Sequence, residues 1–582
     1  MKETFKHVLP LLRRGLPRIG LGVFLLLICD ALQLVVPKII QWAVDGMGRP
    51  GFTQTNLLHG ALLIISIVAA VVALKYFWRI LLIGNTWGIE RDLRAKYYAH
   101  LMRMGQNFYN ERKTGDLMAL ATNDLTAVRM MFGFGFVAGA DMIFQSIASL
   151  LFMGDISLRL TLLAIVPLPI MTVFIMVMGK KMHKRFREVQ TAFADMSGEV
   201  QESISGIRVV KAFVQEENSV KSMARHAYTY VKSNIALVRL HATFHPFMIL
   251  IISVSMGIVM VFGGRSVIRG DISIGGYVAF SSYLGLLAWP MIAIGWIVNM
   301  YQRGTASLKR LNEIFNIEPE IVDEDVDATI TSIRGAVEVC NLEFRYRPET
   351  PVIFDGIDFS LQAGHTLAIV GRTGCGKSTL VNLLARVYNP PRDTFYIDGH
   401  DIYKIPLDVL RRYVVMVPQE IFLFGDTLAA NIAFGMPQAS REDIEKVAKM
   451  ARVHDDIIDF EKGYDTIVGE RGVTLSGGQK QRIAMARAFL MDPSVLVLDD
   501  SLSAVDTKTE KEILEQIVRV RQGKTTIMIA HRISSIQHAD QTIVLENGKV
   551  IERGGHAELI ASKGIYSYLW EKQQIEEKLK ER

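Results

Sequence analysis

The sequence predicts a helical membrane part joined to an α/β part, and three observations lead to this prediction. Six long apolar runs lie before about residue 302. From about residue 336 onward, short runs of valine, isoleucine and leucine alternate with helical stretches, which is typical of a largely parallel sheet. A glycine-rich motif, GRTGCGKS at Gly371 to Ser378, follows one of the predicted strands.

Composition supports the division into two parts. The chain has 582 residues, enough for about two to four domains. Hydrophobic residues make up 50% of it and the mean hydropathy is +0.24, which excludes an ordinary soluble protein and a disordered chain. Three cysteines (Cys29, Cys340 and Cys375) exclude a disulfide framework and lack a metal-binding spacing. The net charge of +6 gives no indication of nucleic-acid binding.

The apolar runs predict an all-α membrane domain. Each is about 18 residues or longer, enough for a helix to cross a hydrocarbon core of roughly 30 Å. The first run carries Asp30 and lacks a small-residue cleavage site, so we interpret it as a retained helix rather than a signal peptide. The six predicted transmembrane helices are Ile19 to Val36, Leu57 to Leu74, Phe132 to Gly154, Leu160 to Gly179, Pro246 to Gly264 and Ile272 to Tyr301.

Positive charge predicts the orientation of these spans. The two long connections, residues 84–130 and 180–242, contain seven and eleven lysines and arginines, and the three shorter connections contain five in all. This asymmetry predicts that the long connections and both termini lie in the cytoplasm. The membrane that the spans cross is expected to be the plasma membrane. Helical periodicity in the long connections predicts that spans two to five continue far into the cytoplasm as helices.

A change of composition predicts the domain boundaries. After Gly304 the sequence becomes acidic and polar through EPEIVDEDVD, which indicates a linker. The predicted organisation is a transmembrane domain at residues 1–303, a linker at 304–334, an α/β domain at 335–570 and a helical tail at 571–582.

Two motifs in the α/β part predict nucleotide binding. The glycines of GRTGCGKS let backbone N–H groups turn toward phosphate oxygens, and the following helix points its N-terminus at them. Lys377 is expected to reach the β- and γ-phosphates, and Ser378 to offer its hydroxyl group to Mg²⁺. The strand Val495 to Asp499 ends in a carboxylate, the position of the Mg²⁺-coordinating aspartate in P-loop proteins. ATP with Mg²⁺ is the expected ligand.

A third motif, LSGGQ at Leu475 to Gln479, opens a predicted helix about twenty residues before Asp499. With the three motifs in this order, the part from about Ala336 onward resembles the nucleotide-binding domain of ABC transporters, so the predicted fold is an α/β P-loop domain of ABC type. The resemblance implies that Tyr346 stacks on adenine and that LSGGQ binds the ATP of a partner.

The resemblance also implies roles for further residues. A loop GERG at Gly469 to Gly472 precedes the signature, as in exporters of the family. The implied catalytic residues are Asp500, His531 and Gln419, and the implied Mg²⁺ ligands are Ser378, Gln419 and Asp499. The implied ATP-binding residues are Tyr346, Gly371, Arg372, Thr373, Gly374, Cys375, Gly376, Lys377, Ser378 and Thr379, the signature comprises Leu475, Ser476, Gly477, Gly478 and Gln479, and the D-loop comprises Ser503, Ala504, Val505 and Asp506.

Six spans ahead of one nucleotide domain resemble a half-transporter of the multidrug exporter type. The resemblance implies short coupling helices near Gln106 to Arg112 and Ser205 to Phe213 that contact nucleotide domains. It also implies a second half-transporter, because each ATP is held between one chain's phosphate loop and the other chain's LSGGQ. The expected activity is ATP hydrolysis that drives export.

One position departs from the family pattern. Asp500 stands where the family usually has the glutamate that acts as general base, and its side chain is shorter by roughly 1.5 Å. We therefore expect weak hydrolysis at this chain's own site and a non-identical partner, as in heterodimeric multidrug exporters with one degenerate site. The alternative is a homodimer that tolerates aspartate.

Residues of the spans suggest a substrate cavity but do not identify the substrate. Asp30 and Asp141 lie inside apolar runs, where they either face cationic drugs or join helices by hydrogen bonds. Trp289 and Trp296 are further cavity candidates, and core packing or lipid contact is the alternative for both. Amphipathic or cationic small molecules and membrane lipid are the expected partners besides the second chain. A lipid or peptide flippase, or an ATP-binding regulatory subunit without transport, are alternative functions.

Overall fold

The chain forms two compact units in the computed structural model, which describes residues 5–469, 475–502, 505, 507–530 and 532–580. One unit comprises Met1–Met102 and Lys113–Ile317, and the other comprises Arg103–Arg112 and Glu318–Arg582. We call them the helical unit and the nucleotide unit.

Long helices make up the helical unit. The α-helices are α1 (Leu9–Gly46), α2 (Gln54–Leu101), α4 (Thr114–Ala119), α5 (Leu125–Met130), α6 (Phe136–Ile165), α7 (Leu168–Ser205), α8 (Ile207–Ala212), α9 (Glu216–Ile258), α10 (Gly264–Ile268), α11 (Ile274–Leu286) and α12 (Ala288–Phe315), while α3 (Gln106–Glu111) belongs to the nucleotide unit. Five of its helices are joined end to end by three π-helical turns: Leu120–Asp124 and Met131–Gly135 join α4, α5 and α6, and Val259–Gly263 joins α9 and α10.

Among the described residues, five helical segments are long and apolar enough to span a membrane, so the count of six is not confirmed. The predicted fourth span, residues 160–179, is divided because α6 ends at Ile165 and α7 begins at Leu168 after Pro167. A proline cannot donate the backbone hydrogen bond that a continuous helix needs. A non-helical residue inside α6, Ser157, also separates the predicted third and fourth spans.

Buried ion pairs join neighbouring helices outside the predicted membrane spans. Glu90 of α2 is 4% exposed and pairs with Arg94 at 2.5 Å and with Arg129 of α5 at 2.6 Å. Asp124, at the end of the first π-helical turn, accepts a hydrogen bond from Ser307 of α12 at 2.6 Å and pairs with Arg310. Buried carboxylates with cationic partners fix the neighbouring helices in one arrangement, because separating the pair leaves an uncompensated charge.

The predicted linker begins too early. Helix α12 continues to Phe315, and the two units divide after Ile317 rather than at residue 303. The reason is the helical spacing of three apolar side chains, Leu308, Leu311 and Ile314, which are at most 4% exposed and belong to the packed interior. At the other end, α21 begins at Ile565, so the predicted tail from residue 571 starts inside a helix.

The nucleotide unit contains two sheets, in agreement with the predicted α/β fold. The four-stranded antiparallel sheet has the order β2-β1-β4-β5, and the six-stranded sheet has the order β10-β9-β3-β8-β7-β6. The strands are β1 (Val337–Phe344), β2 (Phe354–Leu361), β3 (Thr366–Gly371), β4 (Phe395–Ile397), β5 (His400–Asp401), β6 (Val414–Val417), β7 (Val495–Asp499), β8 (Thr525–Ile529), β9 (Gln541–Glu546) and β10 (Lys549–Gly554).

Parallel pairing brings the predicted site residues to one edge of the larger sheet. In the register of β3, β7 and β8, Ile369 and Asp499 both align with Ile529. The carboxyl ends of these strands therefore meet, as ligand sites of parallel sheets require. The helices around the sheets are α13 (Lys377–Leu384), α14 (Leu407–Tyr413), α15 (Leu428–Ile432), α16 (Arg441–Met450), α17 (His454–Ile458), α18 (Gly477–Leu490), α19 (Thr507–Val520), α20 (His556–Ala561) and α21 (Ile565–Lys580).

Two hairpin turns of the same type allow a matched stability prediction. Asn547 and Gly548 join β9 to β10, Asp398 and Gly399 join β4 to β5, and all four residues have positive φ. A Cβ atom at Gly548 would lie 2.4 Å from the carbonyl oxygen of Ile353, whereas nothing lies within 4 Å of a Cβ atom at Gly399.

We predict that Gly399→Ala lowers the free energy of unfolding by about 1–2 kcal/mol, the cost of the left-handed conformation alone. Gly548→Ala should cost about 1–3 kcal/mol more, because the backbone oxygen must also move. Denaturant unfolding of the purified protein measures both changes. Equal losses for the two variants would contradict the predicted clash.

Candidate nucleotide-binding site

A cavity of about 840 Å³ lies at the edge where β3, β7 and β8 end. It contains most of the residues that the motifs predict for phosphate and Mg²⁺ binding. Its lining comprises Pro351, Val352, Ile353, Arg372, Thr373, Gly374, Cys375, Gly376, Lys377, Ser378, Thr379, Gln419, Asp499, Asp500, Ile529, Glu546, Asn547 and Gly548.

Glycine is required in the loop between β3 and α13. Gly374 and Gly376 have φ values of +85° and +99°, in the left-handed region that other residues rarely adopt. A Cβ atom at Gly376 would also lie 2.7 Å from the ring of Phe354. Gly376 is the N-cap of α13, so the loop delivers the N-terminus of this helix to the cavity. Backbone N–H groups and the helix dipole favour an anion at this point.

Lys377 connects the two ends of the loop. Its ammonium group donates to the carbonyl oxygens of Gly371 at 2.8 Å and Arg372 at 3.0 Å. The residue is 6% exposed, yet it lines the cavity. This arrangement holds a positive charge at the place where the β- and γ-phosphates of a nucleotide are expected.

Three oxygen-bearing side chains provide a set that fits Mg²⁺. The hydroxyl group of Ser378 donates to Asp499 Oδ1 at 3.1 Å, and Gln419 lines the same cavity. Mg²⁺ prefers such hard oxygen ligands, completes its octahedron with water and phosphate oxygens, and does not need a cluster of carboxylates. The described residues contain no group of three or more His, Cys, Asp or Glu side chains suited to a metal. The predicted Mg²⁺ ligands do not conflict with this finding, because only one of the three, Asp499, is of these types.

Asp500 and Gln419 face each other inside the cavity. Gln419 Nε2 donates to Asp500 Oδ2 at 3.2 Å. Asp500 has a φ of +45°, and its backbone N–H group donates to the carbonyl oxygen of Ile529 at 3.0 Å. This turn directs the chain sharply after β7, so that two consecutive aspartates, Asp499 and Asp500, both line the cavity.

Comparisons with known proteins identify the family. Residues 19–291 match the model of the ABC transporter transmembrane region, and residues 354–503 match the ABC transporter model. The chain is 38% identical over 559 residues to the probable multidrug resistance ABC transporter ATP-binding/permease protein YheI of Bacillus subtilis, covering 96% of this chain and 95% of that protein. The chain belongs to the ABC transporter family.

Other relatives of this ABC transporter cover it equally well. It is 38% identical to the multidrug resistance-like ATP-binding protein MdlA of Escherichia coli, over 95% of this chain and 94% of that protein. It is 33% identical to an ATP-dependent lipid A-core flippase of Syntrophus aciditrophicus, over 100% of this chain and 96% of that protein. The solved structure of a bacterial Atm1-family ABC exporter with ATP bound has a TM-score of 0.79 and 28% identity, covering 96% of this chain and 99% of that one.

Tyr346, which was predicted to stack on adenine, does not line the cavity in the described structure. Its hydroxyl group instead shares a hydrogen bond of 3.0 Å with Thr379 Oγ1, and its ring lies 4.9 Å from that of Tyr388. Burial raises the pKa of the Tyr346 hydroxyl group, although the bond with Thr379 opposes the change. The predicted adenine contact therefore stays a prediction.

Sequence reasoning missed two parts of the wall. One is the segment Pro351–Ile353, and the other is Glu546–Gly548 at the β9–β10 turn. Glu546 lies 3.8 Å from Arg372, so this turn contributes a carboxylate beside the phosphate loop. The Asn-Gly pair predicts a hairpin turn, but nothing local indicates that the turn faces the loop.

The LSGGQ motif lies outside this chain's own cavity. Ser476 caps α18 by accepting from the Gln479 backbone N–H group at 3.2 Å, and Gln479 Oε1 accepts from the Ser476 N–H group at 3.0 Å. Gln479 also donates to Asp456 at 2.9 Å, and Arg482 pairs with Asp456 at 2.7 Å. Ser476 and Gly477 are exposed, so a rigid helix N-terminus is presented at the surface.

Several predicted positions lie outside the described residues. They are residues 470–472 of the GERG loop, Ser503, Ala504 and Asp506 of the D-loop, and His531. Val505 is described and is buried. The roles implied for these positions stay predictions.

Both short helices near the predicted coupling positions are present, as α3 and α8. Residues 103–112, expected in the transmembrane domain, belong instead to the nucleotide unit. Side-chain contacts explain the change, since Asn107 donates to Glu320 at 3.0 Å and Glu111 pairs with Arg347 at 2.6 Å.

We predict that Lys377→Ala weakens nucleotide binding by about tenfold to a hundredfold, because a hydrogen bond to a charged group contributes about 1.5–3 kcal/mol. Lys404→Ala is the matched control, since Lys404 pairs with Asp325 and does not line the cavity. Titration with a fluorescent ATP analogue measures both affinities. If the two variants bind equally well, the cavity is not the nucleotide site.

Proposed function

We propose that this chain is one half of a heterodimeric ABC exporter that uses ATP to move amphipathic or cationic small molecules out of the cell. The observation that supports the proposal is that one chain combines a cavity in which the usual glutamate is replaced with an unaltered LSGGQ motif. Asp500 lines the cavity in place of a glutamate, while Ser476 stands exposed and capped at the start of α18. The chain thus offers a complete signature and an incomplete catalytic site.

The motif residues that line the cavity have separate roles in the proposed ATP site. Lys377 and the backbone of the phosphate loop bind the phosphates, and Ser378, Asp499 and Gln419 would hold Mg²⁺, which supplies charge stabilisation for phosphoryl transfer. Asp500 is the residue positioned to accept a proton from the attacking water. Because its carboxylate is roughly 1.5 Å short of the usual reach, hydrolysis at this site is slow, by about a hundredfold.

The signature acts on a second chain in this proposal. The exposed N-terminus of α18 presents backbone N–H groups and the positive end of the helix dipole, which stabilise the γ-phosphate held by a partner's phosphate loop. Gln479 and Arg482 both bind Asp456, and these contacts keep the helix start rigid. The partner is expected to be a different ABC half-transporter that supplies a glutamate base; a homodimer is the alternative.

Relatives with multidrug-resistance names favour small-molecule export. A lipid flippase is the second candidate, because lipid A-core flippases are 33–34% identical to at least 95% of the chain. Vesicles that contain the purified complex distinguish these functions: amphipathic drugs should stimulate ATP hydrolysis and be transported, whereas labelled lipid should not change leaflet. A regulatory subunit would do neither.

We also propose six spans, with both termini and the nucleotide unit in the cytoplasm of a plasma-membrane protein. Ser157 interrupts α6 between two apolar stretches, and the second stretch continues past Pro167 into α7. In this proposal the fourth span, residues 160–179, is kinked at Pro167, so a search for single long apolar helices does not find it as a separate span. The excess of positive charge in the long connections supports the orientation.

Cysteine labelling tests this topology. We predict that Thr53→Cys reacts with an impermeant maleimide added to intact cells, and that Lys113→Cys reacts only after permeabilisation, because both positions are exposed but lie on opposite sides of the proposed membrane. The background protein lacks Cys29, Cys340 and Cys375. Labelling of Lys113→Cys in intact cells would refute the orientation.

Asymmetry between the two ATP sites gives the sharpest test of the heterodimer. We predict that Ser476→Arg lowers steady-state ATP hydrolysis of the purified complex by more than about tenfold, or 1.4 kcal/mol in the barrier, while Asp500→Asn has a small effect. Ser440→Arg is the matched control, because Ser440 caps α16 in the same way, accepting from Asp443 N–H at 3.1 Å.

A double variant isolates this chain's own site. In the Ser476→Arg complex, the added change Asp500→Glu should raise the residual hydrolysis, by up to about a hundredfold, because it restores the length of the base. If Asp500→Asn is as damaging as Ser476→Arg and the chain alone hydrolyses ATP rapidly, Asp500 is a working base and the homodimer replaces the heterodimer.

A further inference from the structure

A second cavity of the nucleotide unit, of about 200 Å³, lies at the amino ends of the strands of the larger sheet. Thr366, the first residue of β3, and Thr526, the second residue of β8, both line it, and so does Asp540, which directly precedes β9. The nucleotide-binding cavity lies at the carboxyl ends of the same strands, and the two cavities share no described lining residue. We call the second one the amino-end cavity.

Thr526 brings an unpartnered hydroxyl group to the wall of the amino-end cavity. Side chains two residues apart on a strand lie on the same face of the sheet, and Met528 lines this cavity as well. Thr526 is 1% exposed, and its Oγ1 atom has no hydrogen-bond partner among the described residues. The hydroxyl group of the preceding Thr525, by contrast, donates to the carbonyl oxygen of Gly335 at 2.7 Å. A buried hydroxyl group without a partner is costly, which indicates that a polar group binds beside Thr526.

Arg521 adds a buried positive charge to the same wall. The residue is 5% exposed, and its two terminal nitrogens donate to the carbonyl oxygens of Pro493, Ser494 and Thr525. Its Nε atom has no partner in the described part of the chain. Burial lowers the pKa of the Arg521 guanidinium group to about 10, and Asp492 opposes this change. The group therefore keeps its charge at neutral pH.

Within the described structure, no carboxylate forms an ion pair with Arg521. Asp492 pairs instead with Lys524 at 2.5 Å, and Asp540, which is exposed, accepts a hydrogen bond from the Thr366 N–H group at 2.7 Å. Carbonyl oxygens satisfy the hydrogen bonds of a guanidinium group but do not neutralise its charge. Because a buried charge is costly without an opposite charge beside it, an anion would complete this site.

The rest of the wall restricts the size and charge of that anion. Apolar side chains make up much of it, and they are Leu514, Ile517, Val518, Met528 and Ile536. The cavity is smaller than the roughly 300–1,000 Å³ that drug-sized ligands occupy, so the anion must be small. The exposed carboxylate of Asp540 would repel a second negative charge. These features favour one negative charge on a compact apolar body over phosphate or a dicarboxylate.

We propose that the amino-end cavity binds a small monocarboxylate with an apolar body, such as a benzoate or a short branched fatty acid. The Nε–H group of Arg521 and the hydroxyl group of Thr526 provide two donors for the two carboxylate oxygens, and the guanidinium group balances the negative charge. The apolar body packs against α19. This site is separate from ATP binding and goes beyond the proposed export function.

Fluorine NMR of a weakly bound probe tests the charge requirement. The complex, purified through a tag on this chain and held in lipid nanodiscs, is titrated with 4-fluorobenzoate, and broadening of the fluorine signal reports binding. A saturating non-hydrolysable ATP analogue with Mg²⁺ keeps the probe from the phosphate loop, and empty nanodiscs correct for binding to lipid. We expect a dissociation constant of about 1 mM, and binding of the neutral 4-fluorobenzamide weaker by at least about tenfold. Equal binding of the two probes would overturn the proposal.

A pair of isosteric variants tests the role of Thr526. Thr526→Val should weaken 4-fluorobenzoate binding by about tenfold or more, because a hydrogen bond to a charged group is lost. Thr542→Val is the matched control: Thr542 of β9 is also fully buried with an unpartnered Oγ1 atom in the described structure, but it does not line the cavity. Neither variant should lower the midpoint of thermal unfolding, since each removes a hydroxyl group without a partner. If Thr526→Val binds the probe as the wild type does, the proposal is wrong.

A blocking variant tests whether the probe enters the cavity. Val518 lines it and is 59% exposed, so Val518→Trp adds volume at the entrance without disturbing the core, and it should abolish 4-fluorobenzoate binding. Arg519→Trp is the control, because the exposed Arg519 is the next residue of α19 and does not line the cavity. None of these measurements requires transport or ATP hydrolysis, so failure of the proposed function would leave them interpretable. Unchanged binding by Val518→Trp would show that the carboxylate binds elsewhere and would refute the site.

Discussion

The parallel pairing of β3, β7 and β8 is the constraint on which the nucleotide site depends. It aligns Ile369 and Asp499 with Ile529, so the phosphate loop and the strand-end carboxylate emerge side by side. The bond of 3.1 Å between Ser378 and Asp499 joins the two. A slip of one residue in β7 would turn the Asp499 side chain to the other face of the sheet and leave Ser378 without this partner. The buried apolar runs on both faces of these strands fix the register.

Sequence reasoning predicted which residues the cavity brings together where the determinants are local. Gly374 and Gly376 identify the phosphate loop because their backbone conformations favour glycine, and a strand that ends in Asp499 is visible as an apolar run followed by a carboxylate. The contributions of Val352 and Gly548 to the cavity depend on contacts between distant segments, which no local pattern encodes. The predicted count of six spans is not confirmed for a related reason: Ser157 and Pro167 alter the helices without changing the hydropathy around them.

The buried carboxylates of the helical unit are not equivalent. Glu90 has two arginines within 2.6 Å, and Asp124 pairs with Arg310 and Ser307, so both act as fixed joints between helices. Asp30 of α1 is also buried, at 2% exposed, and its Oδ2 atom has no hydrogen-bond partner in the described structure.

Contacts inside the nucleotide unit explain why α3 belongs to it. Asn110 donates to the hydroxyl group of Tyr388 at 3.0 Å, the rings of Tyr388 and Tyr346 lie 4.9 Å apart, and Tyr346 bonds to Thr379 at 3.0 Å. Thr379 lines the cavity, so an unbroken series of side-chain contacts runs from α3 to the phosphate loop. Two further contacts fix this short helix: Asn107 donates to Glu320, and Glu111 pairs with Arg347. A helix of six residues is too short to be stable alone, and its conformation is therefore set by the unit that binds the nucleotide.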